Sequence, residues 1–197
     1  MTYDVVILSV PRIAPVRPQS APGILKSLCN QAGKTSLVLD INKDFFTNFV
    51  QHHSKAAKEI DDYFVLFGCN LQPETENIYQ TWLSQWIDTV LACQPTILCV
   101  SVFSWQCQRF VADFLKKIRE LYTGTIVVGG QGLVNSQNMS SHWAPKANYA
   151  EDLLSAGLID YYLKGETEHT FPRFLAGERD LPGLNNANST PLSDTNL

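Results

Sequence analysis

The sequence predicts an α/β fold: a three-layer, doubly wound parallel sheet of five strands. Three observations carry that prediction. Short, almost wholly apolar runs recur at residues 3–10, 35–41, 96–103, 125–128 and 158–163. Such runs, lacking a polar alternate position, are those of strands buried on both faces. Helical stretches lie between the runs, so the connections are crossovers of the βαβ kind. Finally, the strand ends carry glycine, serine or acidic residues, as in Gly129-Gly130-Gln131-Gly132 and Gly165-Glu166. The expected order is the flavodoxin-like 2-1-3-4-5, whose switch point lies between strands one and three.

Taken in order, the first strand (YDVVILSV, 3–10) stops at Pro11, and a loop follows with prolines at 11, 15, 18 and 22 and with Arg12 and Arg17. Proline removes donors and fixes φ, so this loop is expected to be structured. A helix should begin near Ala21, with Pro22 in its first turn, and end at Gly33. Its apolar set is Ile24, Leu25 and Leu28. The second strand (TSLVLDI, 35–41) ends in Asp40. Residues 42–73 form an aromatic insertion with Phe45, Phe46, Phe49, Tyr63, Phe64 and Phe67, too apolar for a linker. One or two short helices are expected there, near the site or on the sheet edge. A longer helix spans about 74–93, with Ile78, Trp82, Trp86 and Val90 along its apolar stripe.

The third strand (TILCVSVF, 96–103) precedes Ser104 and a helix over 105–122 whose inward face carries Phe110, Val111, Phe114, Leu115, Ile118 and Leu121. Gly124 ends it, and the fourth strand runs into the glycine turn. A polar segment (131–148), a helix near 149–156 capped by Gly157, the fifth strand (LIDYYL) and a last helix over 167–176 complete the domain. The domain is expected at 1–178, with 179–197 as a polar linker or tail.

Composition narrows the function. Hydrophobic residues make up 45% and charged residues 17%, and the formal net charge is -4. A nucleic-acid binder would need a basic patch, and no apolar run reaches membrane-spanning length. The five cysteines, 29, 69, 93, 99 and 107, form no CxxC pair; buried free thiols are expected rather than disulfides or zinc ligands. No basic region and apolar core open the chain, so the expected location is cytoplasmic. The histidines at 52, 53, 142 and 169 have no metal-ligand spacing. No metal-ligating or catalytic constellation is identified.

The candidate site lies at the strand ends. Ser101 and Ser104 can offer hydroxyls to a ligand; Ser104 reads equally as a plain helix N-cap. Glycine in the 129–132 turn removes the Cβ that would hold a ligand away, or simply allows the chain to leave the sheet. Glu166 reads either as a site residue or as a helix-dipole partner. Asp40 could accept a ribose hydroxyl, but Gly-x-Gly-x-x-Gly is absent from the first turn, which argues against a dinucleotide. The end of strand three lacks the acidic residue of a phosphorylation receiver.

The proline-rich first loop, Asp40-Ile41-Asn42, Ser101-Val102-Phe103-Ser104, Val127-Val128-Gly129-Gly130-Gln131-Gly132 and Gly165-Glu166-Thr167-Glu168 fall at consecutive strand ends. Together they resemble the amino-terminal cobalamin-binding domain of cobalamin-dependent radical S-adenosylmethionine enzymes, over residues 3–176. The resemblance implies a Rossmann-like domain that holds a corrin (vitamin B12) at the carboxyl edge of the sheet. It implies that Ser101, Val102, Phe103, Ser104, Gly129, Gly130, Gln131 and Gly132 pack against the corrin or its nucleotide tail. Pro11 and Arg12 would border the ring, and Gly165 and Glu166 would close the far side. Asp-x-His-x-x-Gly is absent, so no protein histidine on cobalt is expected. CxxxCxxC is absent too, so S-adenosylmethionine and an iron–sulfur cluster would belong to a partner catalytic domain, in cis or in trans, commonly for methyl transfer. The rival expectation is a non-catalytic interaction domain of the same fold that has lost cobalamin and docks a partner protein. A small flavodoxin-like enzyme or nucleotide binder ranks third, for want of phosphate motifs. The insertion discriminates: if its Phe rings fill the space above the strand ends, a corrin has no room.

Overall fold

The computed structural model describes residues 2–11, 19–66, 69–133, 149–165 and 167–188. Its sheet is built of β1 (Val5–Ser9), β2 (Ser36–Asp40), β3 (Ile97–Ser101), β4 (Thr125–Gly129), β5 (Tyr161–Leu163) and β6 (Leu184–Asn185), in the order β2-β1-β3-β4-β5-β6. The first five strands are parallel and have the expected flavodoxin-like order. The sixth was not expected. It runs antiparallel to β5 and pairs Leu163 with Leu184.

Alternation along the strands sends side chains into two layers. Val6, Leu8, Leu98, Val100, Ile126 and Val128 face the larger core; Val5, Ile7, Cys99, Val127 and Leu163 face the smaller one. The smaller layer is covered by α1 (Ala21–Gln31) and α8 (Thr170–Leu175), through Cys29, Phe171, Phe174 and Leu175. Pro22 does sit in the first turn of α1. Gly33 ends the helix at φ +68, where Lys34 N–H reaches back to the Cys29 carbonyl. Only glycine takes that backbone without cost.

The insertion belongs to the opposite layer. It folds as α2 (Ile41–Asp44), a π-helical turn (Phe45–Phe49), α3 (Val50–His52) and α4 (Ser54–Val65). With α5 (Pro73–Ala92), α6 (Gln108–Arg119) and α7 (Tyr149–Ser155) it closes the larger core; Leu121, expected on the inward face, lies past the end of α6 and is exposed. Phe45 stacks on Phe49 at 5.5 Å between centroids, and Trp82 and Phe64 lie 5.6 and 5.7 Å from Phe45. Asp44 fixes this group from its rim, accepting from the indole N–H of Trp82 at 2.9 Å and of Trp86 at 3.2 Å. Buried indoles need such acceptors. Tyr63 (α4) and Tyr79 (α5) both donate to Asp113 on α6, at 2.9 and 3.0 Å, so one carboxylate ties three helices. Burial pushes the Asp113 carboxyl above its ordinary range.

Two boundaries differ from expectation for identifiable reasons. The fifth strand was expected over 158–163 but forms only from Tyr161. Asp160 instead spends its carboxylate on the Ile126 N–H (2.7 Å) and the Arg119 guanidinium (2.6 Å). Residues 179–188, expected as the start of a polar tail, add to the domain: Leu181 and Leu184 are buried in the smaller core. Among the described residues no helix is long and apolar enough to cross a membrane.

Candidate functional site

At the carboxyl edge the register aligns Asp40, Ser9, Ser101, Gly129 and Leu163 in one row across five strands. Counting by twos from Cys99 and Val127 places Ser101 and Gly129 on the smaller-core face. The last row on that face is therefore made of small residues at β1, β3 and β4. Beyond it lies a cavity of about 250 Å³, between α1, α8 and the ends of β3, β4 and β5. Ile24 and Leu25 of α1 form one wall and Phe171 of α8 another; Cys99, Val127 and Leu163 line its sheet side. Ser101, Thr167 and Glu168 supply its polar groups. Burial drives the Cys99 thiol far above its ordinary pKa, so Cys99 acts there as a neutral, soft lining group. Cys29, deeper in the same layer, is pushed up to about 11 for the same reason.

Among the sequence-predicted site residues, Ser101, Gly129, Gly130 and Gly165 line this cavity. Gly165 has φ +84, and a Cβ there would meet open space. Phe103 stands at the same edge, 49% exposed. Val102, Gly130 and Gly132 are engaged internally. Val102 N–H donates to the Gly129 carbonyl at 2.8 Å, and the Val102 carbonyl accepts from Gly132 N–H at 2.9 Å. A Cβ on Gly130 would lie 2.3 Å from the Val102 carbonyl oxygen, and one on Gly132 2.4 Å from the Ser104 carbonyl oxygen. Gln108 Nε2 then donates to the Gly132 carbonyl at 2.8 Å, which fastens the turn to α6. The two glycines are required by this clasp between the loops after β3 and β4. Gln131 is exposed within the short 3-10 turn that follows.

Ser104 makes no side-chain cap; its hydroxyl meets the Cys107 sulfur at 3.8 Å, and its carbonyl receives the Cys107 N–H. Asp40 does cap, accepting from Lys43 N–H at 2.9 Å at the head of α2. Pro11 is buried. Arg12 and Glu166 lie outside the described residues. His52 holds the Asn48 carbonyl at 2.7 Å and His53 packs on Phe49. Glu168 and Thr167, which sequence reasoning did not place among the contacts, line the cavity; their signal was adjacency to Gly165 at a strand end.

Fold and cavity together define a flavodoxin-like α/β domain with a small-residue recess at the carboxyl ends of its central strands, where ligands of open α/β sheets sit. No family model matches the sequence, and no curated protein matches it. Among solved structures it is similar to TsrM, the radical S-adenosylmethionine methyltransferase from Kitasatospora setae. Against that enzyme with cobalamin and a 4Fe-4S cluster bound, the TM-score is 0.44 at 19% identity, over 93% of this chain and 27% of that one. Against the same enzyme with tryptophan substrate and the S-adenosylmethionine analogue aza-SAM, the TM-score is 0.45 at 19% identity, over 92% and 28%. This chain therefore corresponds to a minor part of that enzyme's length.

Proposed function

We propose that this chain is a cobalamin-binding module of a radical S-adenosylmethionine enzyme system, which presents the corrinoid to a separate catalytic domain for methyl transfer or related radical chemistry. The observation that carries the reading is the recess itself: small residues at Ser9, Ser101 and Gly129 beneath a cavity walled by α1 and α8. A volume of about 250 Å³ admits a ring-sized portion of a large ligand and not a macrocycle; the macrocycle's place is then outside the strand ends, beside Phe103. Ser101 and Gly129 would hold the inserted portion, and Gly165 would border it. When bound, the corrinoid would supply its cobalt as the methyl carrier; this chain's part is binding and orientation. Among the described residues, no ring of the insertion lines this recess. Phe45, Phe49 and Phe64 are buried in the opposite core.

The test is to mix the protein with hydroxocobalamin, separate it by gel filtration and record the absorption spectrum of the protein peak. A corrinoid spectrum co-eluting with the protein is expected; a colourless protein peak would sink the reading.

A second reading, an interaction domain that has lost the corrinoid, draws on Gly130 and Gly132. Their absence of side chains is accounted for by the Val102–Ser104 backbone, without any ligand.

A further inference from the structure

The sheet ends on one side in β2, whose outer edge pairs with no strand among the described residues. The other edge, β6, is a two-residue strand and offers little to an incoming chain. β2 is different. Its residues Ser36 to Leu39 are uncharged and include no proline, so the usual devices that blunt an edge strand are missing there. Leu37 and Leu39 pack on the larger core and Val38 on the smaller, which leaves the backbone rim of the strand as its open part. The Thr35 carbonyl turns inward and accepts from Val5 N–H at 3.1 Å. Backbone groups alternate sides along a strand, so Ser36, Val38 and Asp40 turn theirs away from the sheet.

We infer that β2 is a self-pairing edge: two copies of this chain join antiparallel through it, Val38 opposite Val38, into one continuous sheet. In that register Val38 exchanges both N–H···O bonds with its counterpart, and Asp40 N–H meets the Ser36 carbonyl of the second copy. Centring on Leu37 or Leu39 would instead oppose groups already spent on β1. The charges agree with the direction. Lys34 precedes the strand and Asp40, which is exposed, closes it. An antiparallel copy reverses that order and sets each Lys34 diagonally across from the other copy's Asp40, twice by symmetry. Parallel pairing would bring like charges together. So short an edge buries little area, which makes the dimer weak and concentration-dependent. Pairing is independent of what the recess holds. Antiparallel strands put the two recesses at opposite ends of the joined sheet, and each stays open.

Sedimentation velocity of the full chain, from low micromolar to near-millimolar concentration, reads self-association, and amide hydrogen exchange at both extremes reads the contact. A monomer that becomes a dimer is expected, with exchange slowed at Val38 and Asp40 and unchanged at Leu37 and Leu39. Ser36→Pro, at a strand-opening edge position that tolerates proline, should abolish the dimer. Lys34→Glu should weaken it by roughly three- to tenfold, and adding Asp40→Lys should restore it. High salt should weaken the wild-type dimer. A chain monomeric at every concentration would overturn the inference, as would a dimer indifferent to both Ser36→Pro and Lys34→Glu, or one that leaves Val38 exchange unchanged. Should Ser36→Pro fail to fold, Lys34→Glu and the exchange pattern decide.

Discussion

Gly130, at φ +117, lies against Val102 so closely that a Cβ would come within 2.3 Å of its carbonyl oxygen. Backbone meets backbone there, and neither loop can yield without losing the hydrogen bonds between 102, 129 and 132. Gly130→Ala is therefore expected to cost about 2–4 kcal/mol, from overpacking plus a disfavoured φ. Gly132→Ala should behave alike. Gly129→Ala is the contrast: its Cβ would sit 3.7 Å from the Leu163 Cβ, an ordinary contact. Thermal melts should show two destabilised variants and one within about 0.5 kcal/mol of wild type. An unaffected Gly130→Ala would dismiss the clasp.

Phe64→Ala should cost about 3–5 kcal/mol, since it opens a hole in the larger core. The recess lies on the other face of the sheet, so ligand retention per folded molecule should not change. Urea unfolding and the gel-filtration assay read the two quantities separately. Loss of retention at full folding would show that the layers are coupled.

Asp113 gives a pH signature. Burial raises its folded carboxyl above the ordinary value near 3.8, so between the unfolded and folded pKa the native state binds the extra proton. By linkage, the contribution of Asp113 to stability is greatest at low pH and falls as pH rises through the folded pKa. Asp4, Glu59 and Glu178 are lowered, chiefly by hydrogen bonds from Thr35, Thr75 and Arg173 respectively. They act in the opposite sense, and the stability they lend is lost on acidification. The difference in stability between wild type and Asp113→Asn should therefore move in favour of the wild type as pH falls below neutrality. A difference independent of pH would contradict this.

A chain ending at residue 178 lacks Leu181, Leu184 and β6. It should be less stable by about 3–6 kcal/mol, for two leucines no longer buried. Circular dichroism melts of the two lengths decide this. Equal melting would return those residues to the status of a tail.

Thiol titration at pH 8 offers a check on the layers. Cys69 is partly exposed, whereas Cys29, Cys93, Cys99 and Cys107 are buried. One thiol should react quickly with a bulky disulfide reagent in the native protein, and the other four only after denaturation. Rapid reaction of more than one would mean that a core opens.

The strand order was legible because β1 and β3 are apolar at every position before their closing serines, Ser9 and Ser101, and the intervening stretches have helical spacing. The recess was legible in part, through Ser101, Gly129 and Gly165. What could not be read was which glycine has room beside it for a side chain and which is held by the chain's own packing. Gly130 and Gly132 are the same letter as Gly129, and only the approach of the Val102 and Ser104 carbonyls tells them apart. The shortening of β5 was hidden similarly. Asp160 sits within an apolar run, and its capture of the Ile126 N–H depends on Arg119, 41 residues earlier. Leu181 and Leu184 were lost in a polar surrounding because a two-residue strand has no period to detect.

The walls of the recess come from α1 and α8, at opposite ends of the described chain. During synthesis the amino-terminal part leaves the ribosome first, and the aromatic layer formed by the insertion, α5 and α6 can consolidate while α8 is still unmade. A nascent chain halted before residue 170 would thus possess its larger core and have no pocket. In this fold the recess is completed only once α8 is made, well after the larger core can be compact.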